Sequence, residues 1–402
     1  MKTVEEFKEE CFEVSKPQPP FAVALSDAVG TIVAQDVRSM VDVPQADLAA
    51  RDGYAVRYGD IAGASPDFPV VLPVTEDIRA DQFNSVALAP GTAIRISSGA
   101  RIPTGADTVV ALEDTDAGRA EVQIKYASEN VNIRVRAEDL EAGEVIVRSG
   151  VRVGARQVAL LASAGHARVL VHPRPRVVIM SIGDELQEPG NPAIAGKVFD
   201  ANSHALASAV ADAGGDVFRV GAVSDDKRTL REMLEDQLVR ADIIITTGGL
   251  SYGGGDTLKE VLAPLGTVRF DNVAMSPGRQ FGVGTLEDTT IFCLPGSPVA
   301  ALTSFEVFIR PALRQMAGYQ HIERRAIRAR VDTPWNSTDG VVEFVRGKVL
   351  GSPSAGYHVT PMGDPSRQLL TGLAEANCLV EVPSGTTRID IGDELACYVL
   401  DR

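Results

Sequence analysis

At 402 residues the chain is too long for one ordinary core, and a prior of about 150 residues per domain predicts two or three domains. Its 45% hydrophobic and 5% aromatic content describes a globular protein with cores of Val, Ala, Leu and Ile, and excludes disorder over most of the length. Asp plus Glu number 54 against 39 Lys plus Arg, and the resulting formal charge of −15 repels nucleic acid while leaving room for a small anion held by local N–H groups and arginines.

In chain order, Val4, Phe7, Cys11 and Val14 fall at helical spacing and predict a short helix ended by Pro17, Pro19 and Pro20. Leu25 to Val37 ends in a strand-like stretch, and a loop carrying Pro44 and Gly53 follows. From about Asp60 to Asp139, the pieces PVVLPV, TAIRIS, DTVVAL and EVQIKY, divided by Gly, Pro and Asp, predict an all-β domain. Beyond Pro173 the strands VVIM, DVFRV and ADIIIT alternate with amphipathic helical stretches at βαβ intervals, which predicts a doubly wound, mainly parallel sheet. After Arg325, short strands divided by Pro and Gly predict a small C-terminal β-domain.

The dispersed Cys11, Cys293, Cys378 and Cys397 show neither C-x-x-C spacing nor a disulfide framework, as expected of a protein of the reducing cytoplasm. No run approaches about 20 apolar residues, and no signal-peptide pattern opens the chain, so direct membrane insertion is not expected. His166, His172, His204, His321 and His358 are scattered and read as surface or packing residues.

In open α/β sheets, ligands sit beyond the carboxyl ends of the strands, where glycines allow close approach and helix N-termini offer free N–H groups. Four segments are expected there. Ser181 to Leu186 (SIGDEL) follows a strand and places two acids at its end, suited to a cation, although by itself GDE equally describes solvated loop acids. Thr246 to Asp256 (TTGGLSYGGGD) packs five glycines into eight residues, Gly248 to Gly255, and offers backbone donors to an oxyanion. Its Asp256 is a candidate N-cap or magnesium ligand. Ser276 to Arg279 (SPGR) and Leu294 to Pro298 (LPGSP) are rigid turns, with Arg279 available to a phosphate.

Taken in series with Asp200 and Asn202 of a D-x-N segment, these motifs resemble the molybdopterin molybdenumtransferase family, comprising bacterial MoeA and the E domain of gephyrin. The resemblance extends to DVPQADLAARDGYAVR (Asp42 to Arg57), RISSGARIPTGADTVV (Arg95 to Val110) and NIRVRAEDLEAGE (Asn132 to Glu144), so it covers nearly the whole chain in family order.

The fold it implies is multidomain α/β plus β. Residues 1–40 and 140–172 would form an elongated mixed linker domain, 41–139 an inserted β-rich domain, 173–322 a doubly wound domain of the molybdopterin-binding type, and 323–402 a C-terminal β-domain. The family's substrates are adenylylated molybdopterin and molybdate, joined with release of AMP and help from a divalent cation, Mg²⁺. Their site would lie in a cleft shared by two subunits of a homodimer. Carried over residue by residue, the family's acids fall on Asp52, Asp139, Glu185 and Asp256, with Glu185 and Asp256 as metal ligands. The substrate contacts fall on Ser98, Gly183, Gly248, Gly249, Ser251, Gly253, Pro277, Gly278, Arg279, Pro295, Gly296, Ser297 and Pro298.

Departures from the family pattern cluster at this expected site. Where the family has DNSAMD this chain has Asp47 to Asp52 (DLAARD). The usual Thr of TGDE is Ile182, the Thr of MTGA is Ser98, the Lys-Pro of PGKP is Arg279-Gln280, and the Asn of PGNP is Ser297. Each lost hydroxyl or amide would remove about 0.5–1.5 kcal/mol of hydrogen bonding. They raise the alternative of a scaffold resembling gephyrin, which would bind a peptide of a membrane or cytoskeletal division protein between the α/β and C-terminal domains, near Phe305 to Tyr319 and Pro334 to Pro361.

Overall fold

A computed structural model describes residues 1–82, 86–250, 257–265 and 267–400. Helix α1 (Val4–Val14) opens with a capping box: the Thr3 hydroxyl accepts the Glu6 N–H, and the Glu6 carboxylate accepts the Thr3 N–H. Its buried Val4, Phe7 and Cys11 join the core of the distant α/β sheet, where Phe7 meets Phe308 edge-on at 5.0 Å.

Strands β1 (Phe21–Ala24) and β2 (Ile32–Val33) flank a later strand, Arg168–His172, in a three-stranded antiparallel sheet. Between them in sequence, β3 (Gly53–Val56), β4 (Val70–Ile78), β5 (Ala93–Ile96), β6 (Thr108–Ala111) and β7 (Glu121–Ile124) form a five-stranded sheet of order β6-β3-β5-β4-β7. The chain then returns through α2 (Ala155–Ser163) and β8 (Arg168–His172) to the first sheet.

The α/β layer follows. It comprises β9 (Arg176–Ser181), α3 (Asn202–Ala213), β10 (Asp216–Arg219), α4 (Lys227–Leu238), β11 (Ile243–Thr247), α5 (Thr257–Leu262), β12 (Arg269–Asn272), β13 (Met275–Ser276), β14 (Gln280–Leu286), β15 (Thr289–Leu294) and α6 (Pro298–Ser304). The six-stranded sheet has order β10-β9-β11-β15-β14-β12, in which the first three pairings are parallel and the last two antiparallel, so that β14 alone is reversed. Successive side chains point to opposite faces. Val177, Ile179, Ile243 and Ile245 therefore pack under α1, α3 and α6, while Val178, Met180 and Ile244 pack under α4 and α5. Burial on both faces explains why these strands read as continuous apolar runs. Helix α6 continues through a π-helical turn at Phe305–Ile309 into α7 (Arg310–Met316).

The last strands, β16 (Ala326–Val331), β17 (Val342–Ser352), β18 (Gly356–Pro361), β19 (Cys378–Val382) and β20 (Glu394–Val399), pair in the closed circuit β17-β18-β16-β20-β19-β17, a small barrel. Helix α8 (Leu370–Glu375) interrupts it, and β13 adds to it in parallel beside Val342 and Glu343. The barrel is thereby stitched to the α/β layer next to the SPGR turn. All four cysteines are free and buried, and no helix among the described residues is long and apolar enough to cross a membrane.

One ion pair fixes the entry to the central strands. Asp242, its side chain 9% exposed, accepts the Arg176 N–H at 2.7 Å and the Arg176 guanidinium at 2.8 and 3.1 Å. Burial pushes its pKa upward, but hydrogen bonds from Arg176 and Gln18 prevail and hold it below the ordinary value. A depressed folded pKa contributes stability that is present above the unfolded value, about 3.9, and is lost as pH falls through the folded one. Urea unfolding of the protein and of Asp242→Asn should therefore differ most near neutral pH and converge below about pH 4. A gap constant with pH would refute the electrostatic origin.

Candidate functional site

The register of the parallel strands sets the site. Ser181 of β9 lies opposite Thr247 of β11, which lies opposite Leu294 of β15, so the SIGDEL, TTGG and LPGSP loops leave the sheet side by side. The SPGR turn reaches the same edge differently. It precedes β14, whose antiparallel pairing sets Gly282 against Cys293, so a strand start rather than a strand end delivers it there. Contact is direct: a Cβ added at Gly278 would lie 3.5 Å from Pro295.

Backbone crowding explains the glycines. Gly248 has φ +86, and a Cβ there would stand 2.3 Å from the Ile182 carbonyl oxygen. Gly296 packs with its own Cβ position 3.6 Å from the Gly248 Cα. At Gly183, φ +155, an added Cβ would strike the Glu185 carboxylate, which folds back over this residue. Glu185 and Asp184 are both exposed.

Beneath these loops lies Asp200, 1% exposed. It accepts the Ser181 hydroxyl at 2.8 Å and, from Ser203, both the hydroxyl at 2.5 Å and the N–H at 3.1 Å. Ser181 in turn meets the Thr247 hydroxyl at 3.2 Å. Asp200 is thus fully engaged as a brace of the floor, a role legible as an Asp three residues before Ser203 at a helix start. Asn202 donates to the Gly296 carbonyl at 2.8 Å and anchors the LPGSP turn. Cys293, just before that turn, is no nucleophile, because burial pushes its thiol up to about 12.

The departures acquire physical meaning here. Ile182 is buried in the apolar cluster with Val223 and Leu258, so replacing a hydroxyl there enlarges a core rather than opening a ligand contact. Arg279 is exposed and forms no ion pair with a described residue. The Ser297 hydroxyl donates to Gln368 Oε1 at 2.6 Å, and Pro298 begins α6. Ser251, Gly253 and Asp256 lie outside the described residues.

Asp52 and Ser98 meet beside the paired ends of β3 and β5, and Asp139 lies on the chain that leaves the inserted sheet. The exposed Asp52 accepts the Ser98 N–H at 2.6 Å, and the exposed Asp139 is fixed by its own N–H donating to Val43 O at 3.0 Å. Sequence reasoning missed an ion pair between a buried acid and an exposed arginine: Asp42 accepts the Ala142 N–H at 2.8 Å and Arg136 Nε at 2.5 Å. These two donors hold the Asp42 carboxyl below its ordinary pKa. Asp47 accepts the Arg136 N–H at 2.7 Å, so both acids of the DVPQAD segment fix the turn that carries Arg136. Asp42 stands just before the cis Val43-Pro44 bond, and no spacing rule links it to Arg136, 94 residues away. Among the described residues, no hydrogen bond or ion pair joins Asp52, Ser98 or Asp139 to the strand-end loops.

Three family descriptions tile the chain: the MoeA N-terminal region (domain I and II) over residues 2–165, a probable molybdopterin binding domain over 178–315, and the MoeA C-terminal region (domain IV) over 328–400. Molybdopterin molybdenumtransferase 1 of Mycobacterium tuberculosis is 38% identical, over 98% of this chain and 97% of the relative. Molybdopterin molybdenumtransferase 2 of the same organism is also 38% identical, over 100% of both. A MoeA crystal structure from Pyrococcus horikoshii superimposes with a TM-score of 0.83 at 29% identity, covering 100% of this chain and 99% of that one. With the strand-end loops, the barrel and the inserted sheet all in the order of these relatives, the chain belongs to the molybdopterin molybdenumtransferase family.

Proposed function

We propose that this protein inserts molybdate into adenylylated molybdopterin with release of AMP, as a cytoplasmic homodimer. The observation that carries the reading is the alignment of Ser181, Thr247 and Leu294, which gathers glycine-lined loops and the free carboxylate of Glu185 at one sheet edge. Relatives matching over the full length bear the transferase name, which favours the enzyme over the scaffold alternative.

In this reading Gly249, Ser251 and Gly253 bring backbone donors to the substrate, while Gly183 and Gly248, whose own N–H groups donate to the Val223 and Leu294 carbonyls, let the loops approach it closely. Pro277, Gly278, Pro295, Gly296, Ser297 and Pro298 shape the wall beside it, and Arg279 meets its phosphates. Asp52 and Ser98 act from the inserted sheet, and Asp139 from the chain that leaves it.

The carboxylate chemistry fits Mg²⁺. Among the described residues no group of three or more His, Cys, Asp or Glu converges, and Mg²⁺ needs only one or two protein carboxylates because it keeps several waters. Glu185 and Asp256 would hold it, and when bound it neutralises charge on the phosphates and molybdate. Asp200, 1% exposed and accepting three hydrogen bonds from Ser181 and Ser203, serves instead as a brace beneath the loops.

The test is insertion by the purified protein supplied with adenylylated molybdopterin, molybdate and Mg²⁺, followed as bound molybdenum and released AMP. Asp256→Ala serves as control, and solution mass reports the dimer. Molybdenum uptake that disappears in the control is expected. An intact dimer that releases no AMP would overturn the reading.

A further inference from the structure

The Ser297–Gln368 hydrogen bond joins two parts of the molecule that the sequence gives no reason to connect. Gln368 lies in the segment between β18 and α8 of the barrel, and that segment is not loose. The Arg346 side chain, from a residue only 2% exposed, donates to the carbonyls of Asp364 at 3.0 Å and Arg367 at 2.8 Å. The Arg346 carbonyl accepts the Met362 N–H at 2.8 Å, and the Asp364 carboxylate accepts the Ser366 N–H at 3.0 Å and hydroxyl at 2.7 Å. Gln368 is therefore delivered to the LPGSP turn by a rigid support, while Asn202 pins the same turn at Gly296.

The chemistry of the pair is specific. A carboxamide has one oxygen acceptor and an NH₂ group with two donors. The Ser297 hydroxyl occupies the Gln368 oxygen, which orients the amide, and its exposed Nε2 donates to no described residue. Position 297 is where the family resemblance places an asparagine. We propose that Gln368 supplies from the barrel the carboxamide donor that position 297 lacks, and that it is a substrate-binding residue for an acceptor atom of the anionic pterin substrate, with Ser297 orienting it.

This inference rests on the transferase reading, so its test uses binding without turnover. The dissociation constant of adenylylated molybdopterin is measured for the intact protein, Gln368→Ala, Gln368→Glu and the double variant Gln368→Ala/Ser297→Asn. Loss of one donor should weaken binding about three- to tenfold in Gln368→Ala, and the asparagine should restore most of it. Gln368→Glu is decisive against a merely structural role: it keeps the oxygen that Ser297 needs but has no N–H to offer, so it should bind as weakly as Gln368→Ala or worse. Wild-type affinity in Gln368→Ala or in Gln368→Glu would overturn the proposal, as would failure of Ser297→Asn to restore binding. An unaltered protein that binds the substrate yet never inserts molybdenum would sink the transferase reading while leaving the Gln368 comparison intact. One that binds nothing would sink both.

Discussion

Glu185→Gln is expected to lower molybdate insertion on the order of 100-fold while leaving the fold unchanged. Its carboxylate is exposed at the strand-end edge, curled over Gly183, and bonded to no described side chain, so removing its charge breaks no structural contact. Surface substitutions of that kind fall within about 0.5 kcal/mol in stability. The measurement is single-turnover AMP release across a Mg²⁺ titration, with thermal unfolding in parallel. If Glu185 holds the cation, the variant's residual rate should need more Mg²⁺ for half-saturation. Equal rates at every Mg²⁺ concentration would remove Glu185 from the site.

Gly248→Ala is expected to damage both stability and activity, for reasons that can be separated. An alanine at φ +86 costs about 1–3 kcal/mol in backbone strain alone. The new methyl would also stand 2.3 Å from the Ile182 carbonyl oxygen, a backbone atom that cannot rotate away, so the SIGDEL and TTGG loops must part. Gly143→Ala is the matched control, since Gly143 has φ +89 and open space around its Cβ position. Urea unfolding should show a clearly larger loss at Gly248 than at Gly143, and only the former should abolish insertion. Equal losses would mean that the loops have slack and that the glycine serves conformation alone.

Much of the architecture was legible in the chain because it rests on local pattern. The continuous apolar runs at Val177 to Met180 and Ile243 to Ile245 declared buried parallel strands, and the glycines after Thr247 declared a close backbone approach. Three matters were decided only in space. The helix at Val4 to Val14 gave its amphipathic period but not its partner, which is the core of a sheet more than 160 residues later. Ile182 looked like a lost ligand contact, yet its side chain belongs to a core, because the direction of a loop side chain depends on what packs behind it. The SPGR turn reached the site by an antiparallel strand, a pairing that no turn chemistry encodes.

By itself, then, the sequence determined the order of domains, the family and the acids available for chemistry, since these follow from residue types and short-range spacing. The tertiary structure alone decided which of them meet. It set Ser181, Thr247 and Leu294 in one line, buried Asp200 as a brace, paired Asp42 with Arg136 and brought Gln368 to Ser297. Such contacts span up to 94 residues, and their partners are selected by sheet register and packing geometry, quantities to which every strand contributes and which no single segment carries.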